Sequence, residues 1–460
     1  MHTTMMNLSR PAAGARRAAA ALALALGAAA CHTPDLLQVD DIDIANPGSV
    51  QTRAALPVLL AGAVGDVQSA FSGNGDTQIT ASAEFTDEML LADTYPSRQE
   101  FDQRGITPTN PTNTAIFRAL LRGYASAVRA QEAYARLDPA TVGRAEAYNL
   151  EALAILLAAE NYCSGVPFSK LTDDGASLFG KPLARDTMLV WAAAVADSAA
   201  AVLQSVPATT PGIATQASFA AVLRGRALLD LGQFAQAASA VAAVPTNFVF
   251  QFEHSANTIR ENNGIYSLTF LDPRMSVADV EGTNGLPYRS DADPRVPEKL
   301  GSGQNGEPAR GFDGSPMYLQ LKYPSRAANV VAASGIEARL IEAEAALQAS
   351  DAPGALDILN TLRSSAGVAG LAPLNDAGTP DARVNQLFKE RAYWLWLTSH
   401  RLGDLRRLVR QYGRLPESVF PTGAYTKGGG GGLYGADVNF PVPLDELNNP
   451  NFSQCIDRGA

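Results

Sequence analysis

The chain has 460 residues, 46% of them apolar, enough to build one large core or those of two to three ordinary domains. Its 46 acidic against 36 basic residues leave a formal charge of -10, which excludes nucleic acid or an anionic membrane as the main ligand, because both need a basic footprint. Alanine dominates the apolar share and favours closely packed helices over sheets.

Arg10 to Cys31 reads RPAAGARRAAAALALALGAAAC: a basic start, an apolar run too short to span, small residues, then a cysteine. This pattern predicts an export signal over residues 1–30. The small residues before Cys31 resemble a bacterial lipobox, which implies that Cys31 is acylated and anchors the mature protein by its lipid. The alternative is an ordinary signal peptide cut near Ala30 that leaves Cys31 free. No later stretch reads as apolar enough to cross a membrane. With Cys31 lipidated, Cys163 and Cys455 remain as an even pair, able to form a disulfide or to stay as buried thiols.

Residues 31–52 are acidic and proline-broken and read as an extended tether; residues 53–460 read as a single helical domain. Arg53 to Phe71 has a helical period and stops at SGNGD. The stretch 73–111 reads as a long functional loop carrying Tyr95, Arg98, Phe101, Asp102 and Arg104. Thr114 to Leu137 and Thr141 to Tyr162 predict an antiparallel helix pair. Thr187 to Val206, Thr215 to Leu231, Phe234 to Val244, Ser334 to Ser350 and Ala355 to Ser364 continue the series. The junctions LLDLGQFAQAASAV and ALQASDAPGALDILNTLR resemble tetratricopeptide turns, so the expected fold is mainly α, built of tetratricopeptide-like helical hairpins.

Residues 245–330 have a different texture and predict a loop-rich insertion with short strands. Asn247 to Glu253 alternates Phe248, Phe250 and Phe252, and Gly264 to Phe270 and Met317 to Tyr323 also read as strands. Asn385 to Arg410 reads as one core helix with Leu387, Phe388, Trp394, Leu395, Leu402, Leu405 and Val409 on its apolar side. From period alone, His400, Arg401, Asp404, Arg406 and Arg407 read as its solvated last turn, where arginine suits the helix dipole.

That helix, ERAYWLWLTSHRLGDLRRL, resembles the helix near the C-terminus of SusD/RagB-family nutrient-binding lipoproteins, through Glu390, Arg391, Arg401, Asp404, Leu405 and Arg407. Thr398 and Ser399 stand where that family usually has Glu-Gly. The segment GIEARLIEAEAALQASDAPGALDILNTLR is similar to another family stretch through Glu342, Glu344, Leu359, Asn360 and Arg363. NFPVPLDELNNPN resembles the family's closing motif through Pro441, Pro443, Glu446, Asn449 and Pro450, and YCSGVPFSKL sits where the family has its G-x-V-P-F/Y stretch. The resemblance implies a non-enzymatic, lipid-anchored outer-membrane protein that caps a SusC-like TonB-dependent barrel transporter and captures glycan or peptide fragments for import. A tetratricopeptide-like scaffold lipoprotein for envelope assembly is the alternative.

Several motifs point nowhere. Gly301 to Gly306 fits G-x-G-x-x-G, yet no strand enters and no helix leaves. Gly175 to Lys181 approaches a phosphate loop, but Pro182 replaces the Ser or Thr that would hold magnesium. Gly428 to Gly432 reads as a mobile loop. His254 and His400 are isolated, and the acid pairs Asp173-Asp174 and Asp291-Asp293 lie in Gly/Pro-rich loops, so no cofactor, metal or catalytic role is assigned. Sugar recognition needs an aromatic face for the ring's C–H side and planar polar groups for its hydroxyls. Trp191, Trp394 and Trp396 read as core, which leaves Tyr95, Arg98, Phe101, Asp102, Tyr288, Arg289, Phe312 and Tyr318 as ligand-binding candidates, with Arg310 beside them.

Overall fold

The computed structural model describes residues 52–172, 177–303, 305–427 and 431–460. The export signal, Cys31, the tether up to residue 51, Asp173-Asp174 and part of the glycine run lie outside the described residues.

A 3-10 turn at Arg53–Ala55 leads into α1 (Leu56–Ser72). The stretch read as a loop then folds into α2 (Gln78–Phe85), β1 (Met89–Leu91) and α3 (Pro96–Asp102). Two local signals start these helices: a reciprocal capping box between Thr77 and Thr80, and Pro96 in the first turn, where its missing N–H costs nothing. Both helices are short, with seven or eight residues, which hides their period in a polar sequence.

The helical hairpins follow. Asn110 caps α4 (Pro111–Leu137), and Thr141 caps α5 (Val142–Asn161). Every residue from Asn149 to Asn161 is buried, so this part of α5 is enclosed on every side and sits at the centre of the core. Two small ribbons come next, pairing β2 (Val166–Pro167) with β5 (Pro182–Leu183) and β3 (Lys170–Leu171) with β4 (Ser177–Leu178). α6 (Arg185–Gln204), α7 (Ile213–Asp230) and α8 (Phe234–Val241) stack onto α5 in order. Arg53–Ser72 and Arg185–Gln204 reach the length and mean hydropathy, 1.4 each, of a membrane crossing. This corrects the expectation that no later stretch does; here their apolar faces pack against α4, and against α5 and α7.

β6 (Val249–Phe252) opens the insertion. The segment read as a strand at Gly264 to Phe270 is helical instead: α9 (Gly264–Tyr266) runs into a π turn at Ser267–Leu271. The Asn263 side chain accepts from Tyr266 N at 2.9 Å, and the Ser267 and Thr269 hydroxyls donate back to Asn263 O and Ile265 O. This capping overrides the strand propensity of its aromatic residues. β7 (Met275–Val277), β8 (Glu298–Leu300), β9 (Tyr318–Gln320) and β10 (Val330–Ser334) complete three antiparallel ribbons, β1 with β7, β8 with β9, and β6 with β10.

The last hairpin is α10 (Gly335–Gln348) and α11 (Ala352–Ser365). The single helix read over Asn385 to Arg410 is two, α12 (Pro380–Trp394) and α13 (Arg401–Tyr412). Between them Leu397 and Ser399 take positive φ of 53° and 64°. Other elements capture the backbone groups the break releases. Leu397 N donates to Glu88 at 2.8 Å, Tyr323 Oη to Leu397 O at 3.1 Å, Lys322 to Trp396 O, and Arg226 to Ser399 O at 3.3 Å. Trp396 is therefore core but lies in the break, not in a helix.

The charged end is buried, not solvated. Arg391 donates twice to Asp404 at 2.9 Å, and Arg407 bridges Asp404 and Glu344. Arg401 pairs with Asp87 at 2.6 and 2.7 Å, and Arg406 donates to the backbone oxygens of Ala159, Glu160 and Tyr162 at the end of α5. Charge enters this core because each group meets a partner from another element. The architecture is mainly α, of tetratricopeptide-like hairpins carrying short ribbons.

Candidate functional site

The register of β1 against β7 builds the site. Leu91 faces Met275, so Ala92 and Asp93 emerge beside Arg274, and Ala92 N donates to Arg274 O at 2.7 Å. Two residues on, Tyr95 forms the N-cap of α3 and leaves its ring 52% exposed. Arg98, one turn later, lies with its guanidinium 5.4 Å from the Tyr95 ring centre. It donates to Asp76 at 2.7 and 2.8 Å and to Asp93 at 3.2 Å.

Asp93 also accepts from Arg274, whose guanidinium stands 4.7 Å from the centre of Phe312, a ring 54% exposed. The turn carrying Phe312 docks through Gly311, where a Cβ would lie 2.3 Å from Ala92 O. Arg310 spans the turn by donating to Gly314 O at 2.7 Å. The same strand-turn leads to Tyr318 on β9, over which Arg289 stacks at 3.7 Å. Tyr95, Arg98, Asp93, Arg274 and Phe312 thus form one continuous array: two open rings flanking two arginines on a shared carboxylate.

The electrostatics keep it fixed. Burial works to lower the Arg98 pKa, but the hydrogen bonds and charge of Asp76 raise it above the ordinary value. Behind it, Glu84 is pushed well above the carboxylate range, by burial first and then by Asp76 and Asp102.

Of the eight sequence candidates, Tyr95, Arg98 and Phe312 join this array, Arg289 and Tyr318 pair with each other beside β9, and three are elsewhere. Phe101 is 1% exposed and packs edge-on against Phe440. Asp102 is buried, accepting from Leu91 N, Tyr425 and Lys427. Tyr288 is buried against Tyr393. Phe101 and Asp102 are core because a short helix replaced the expected loop and gave them an inner face, whereas Tyr288 is buried from within a turn. Asp76, Asp93 and Arg274 were not found from the sequence; strand register brings Asp93 and Arg274 together, and Asp76 joins from the turn before α2, so spacing carries no signal of it.

The other residues singled out have structural partners. His254 contacts Gln68 at 2.7 Å and Ser72 at 3.0 Å, and His400 faces Glu337 at 3.1 Å. Asp291 is held by Tyr393 and Lys389, and Asp293 by Arg295. A strand does enter the G-x-G-x-x-G match, since β8 ends at Leu300, but Ser302 bridges Pro308 in a hairpin and no helix follows. A disulfide joins Cys163 to Cys455.

No protein-family model matches the sequence, and comparison with curated proteins finds no match. Solved structures do match. A SusD/RagB family protein from Bacteroides thetaiotaomicron aligns at 14% identity with TM-score 0.63, covering 86% of this chain and 94% of that one. A laminarin binding SusD-like protein aligns at 15% identity with TM-score 0.61, covering 88% and 99%. Surface glycan-binding protein A from Bacteroides uniformis aligns at 14% identity with TM-score 0.62, again covering 88% and 99%. Alignments that cover nearly nine-tenths of this chain and almost all of each neighbour place the chain in the SusD-like fold.

Proposed function

We propose that this protein is a non-catalytic, SusD/RagB-type surface lipoprotein that captures oligosaccharides and passes them to a SusC-like TonB-dependent barrel. One observation carries the reading: Tyr95 and Phe312, both half-exposed, flank arginines fixed to Asp93. A pyranose ring offers an apolar C–H face and a rim of hydroxyls, and this array offers the complement of each. The neighbours named for laminarin and surface glycans support a glycan over a peptide. Lipid attachment at Cys31 would hold the protein beside its transporter.

Isothermal titration with laminarin and a panel of soluble polysaccharides tests the binding step. Tyr95→Ala and Phe312→Ala are each expected to weaken the best ligand about ten-fold, near 1.4 kcal/mol, with an unchanged melting temperature. Binding that survives the double substitution intact sinks the assignment of this site, and absence of any retained glycan sinks the function. Labelling with radioactive palmitate, and co-purification of a large barrel protein, test the anchor and the partner separately.

A further inference from the structure

The outward face of α4 carries a row of arginines that the aromatic array does not use. Arg118, Arg122, Arg129 and Arg136 recur at steps of four and seven residues, so they lie on one side of the helix, opposite the buried Leu120, Ala127 and Tyr134. All four are exposed, and the row runs for about 27 Å. Arg118 meets Asp445, and Asp66 is shared by Arg122 and Arg260. Arg129 and Arg136 have no ion-pair or hydrogen-bond partner among the described residues. Lys170 on β3, held by Glu132 at 2.8 Å, reaches the same face. With Arg122 and Arg129 it lines a notch of about 190 Å³ over the small Ala125 and Ser126.

Two pairs of half-exposed apolar residues border the row. Leu178 and Phe179 end the β3–β4 ribbon, whose register sets Leu178 against Lys170. Leu444 and Leu447 stand on the 3-10 turn Leu444–Asn448, which carries Asp445 to Arg118, and Asn451 just beyond it donates to Phe179 O at 3.2 Å. Open leucine and phenylalanine beside arginine is the pattern of a surface that lies on lipid, where the apolar groups enter the headgroup layer and the guanidinium groups meet phosphate. The far end of α4 adds a second sign. Arg53 donates to Leu137 O at 2.7 Å, so the chain from Cys31 joins the domain there, over a length that spans at most about 75 Å. The net charge of -10 excludes an anionic surface as the main ligand, but salt screens distant acids beyond about 8 Å, so the near face decides contact.

We propose that the outward face of α4 is a membrane-docking surface for anionic lipid headgroups: Arg122, Arg129 and Lys170 cradle a lipid phosphate, and Phe179, Leu444 and Leu447 enter the headgroup layer. The inference rests on the reading of Cys31 as the lipid attachment, which holds this face near the bilayer and lets weak contacts fix the orientation of the whole domain.

Co-sedimentation of the mature protein carrying Cys31→Ser, so that no acyl chain contributes, tests the surface apart from the anchor. Vesicles of phosphatidylcholine mixed with phosphatidylglycerol should bind it at least about ten-fold more tightly than phosphatidylcholine alone, and high salt should abolish the difference. Arg129→Glu with Arg136→Glu should weaken binding to the anionic vesicles at least about ten-fold, with unchanged melting temperature and glycan affinity. Phe179→Ser with Leu447→Ser should weaken it several-fold. Lys299→Glu with Arg326→Glu makes the same change of charge on exposed residues of the insertion and should have no effect. Equal binding to the two kinds of vesicle overturns the proposal, as does an equal loss in this control pair. Absence of binding to the anionic vesicles also overturns it, and if the Arg129, Arg136 pair then governs co-purification of a barrel protein, the face belongs to a protein partner instead. Failure of palmitate to label Cys31 refutes the anchor and leaves the vesicle results standing.

Discussion

Asp404 lies between Arg391 and Arg407, and all three side chains are almost wholly buried. A carboxylate placed there owes its charge to its partners, and its pKa is held below the ordinary value by the two arginines even though burial pushes the other way. Asp404→Ala leaves two guanidinium groups facing apolar surroundings, so a loss of about 3–5 kcal/mol in urea unfolding is expected. A loss below about 1 kcal/mol would mean that water reaches the network. Glu88 is the opposite case. Burial raises its pKa from 4.5 to about 8, and one of its oxygens accepts from Leu397 N while the other has no partner. The folded state holds this proton up to about pH 8, whereas the unfolded chain releases it near pH 4.5. The native state therefore binds more protons between those values, and stability falls as pH rises through the window. Glu88→Gln keeps an acceptor for Leu397 and removes the titration. It should flatten the pH dependence of stability between pH 5 and 8 by on the order of 3 kcal/mol, which denaturant melts at several pH values measure directly.

The break at Leu395 to His400 shows at the level of elements what the sequence could and could not tell. The apolar period of Asn385 to Arg410 is continuous because Phe388, Leu402 and Leu405 join the main core while Leu387, Trp394 and Leu395 join a second apolar cluster beside it, so nothing in the pattern marks the interruption. The sign was the resemblance: Ser399 stands where the SusD/RagB pattern usually has glycine, and Ser399 is a residue with φ of 64°. A left-handed backbone costs an ordinary residue about 1–2 kcal/mol, and the Ser399 hydroxyl is also buried without a partner. Ser399→Gly is therefore expected to stabilise the protein by about 1 kcal/mol, read as a raised urea midpoint. The long hairpin helices α4, α6 and α7 were legible because they repeat their apolar faces over several turns. The short α2 and α3 were not, since seven or eight residues give barely two turns of period. The same failure misplaced Phe101 and Asp102. Tyr95, Arg98 and Phe312 were readable as aromatic or cationic residues among turn formers, whereas Asp93 and Arg274 join them only through the β1–β7 register.

At the scale of the whole molecule, the C-terminal segment returns to the end of α5, the helix with the most buried residues. Cys163 N donates to Phe440 O at 2.9 Å, Phe440 N to Asn161 O at 2.8 Å, and Ile456 N to Ser164 O at 2.8 Å. The Cys163–Cys455 disulfide covers this junction and closes a loop with a sequence separation of 292 residues. By chain entropy, a loop that long restricts the unfolded state by on the order of 5 kcal/mol, and native disulfides commonly contribute about 2–5 kcal/mol. The backbone ladder around Phe440 does not depend on the sulfur atoms, so the segment should stay docked when they are removed. The double variant Cys163→Ser, Cys455→Ser is expected to fold with a melting temperature lower by about 5 °C, and faster hydrogen exchange confined to residues 439–460. Glycan affinity should not change, because no residue of the Tyr95–Phe312 array touches this junction. An unchanged melting temperature would mean that the ladder alone fixes the tail. A loss of glycan binding would show that the closing segment supports the exposed array through the Phe440–Phe101 contact beneath α3.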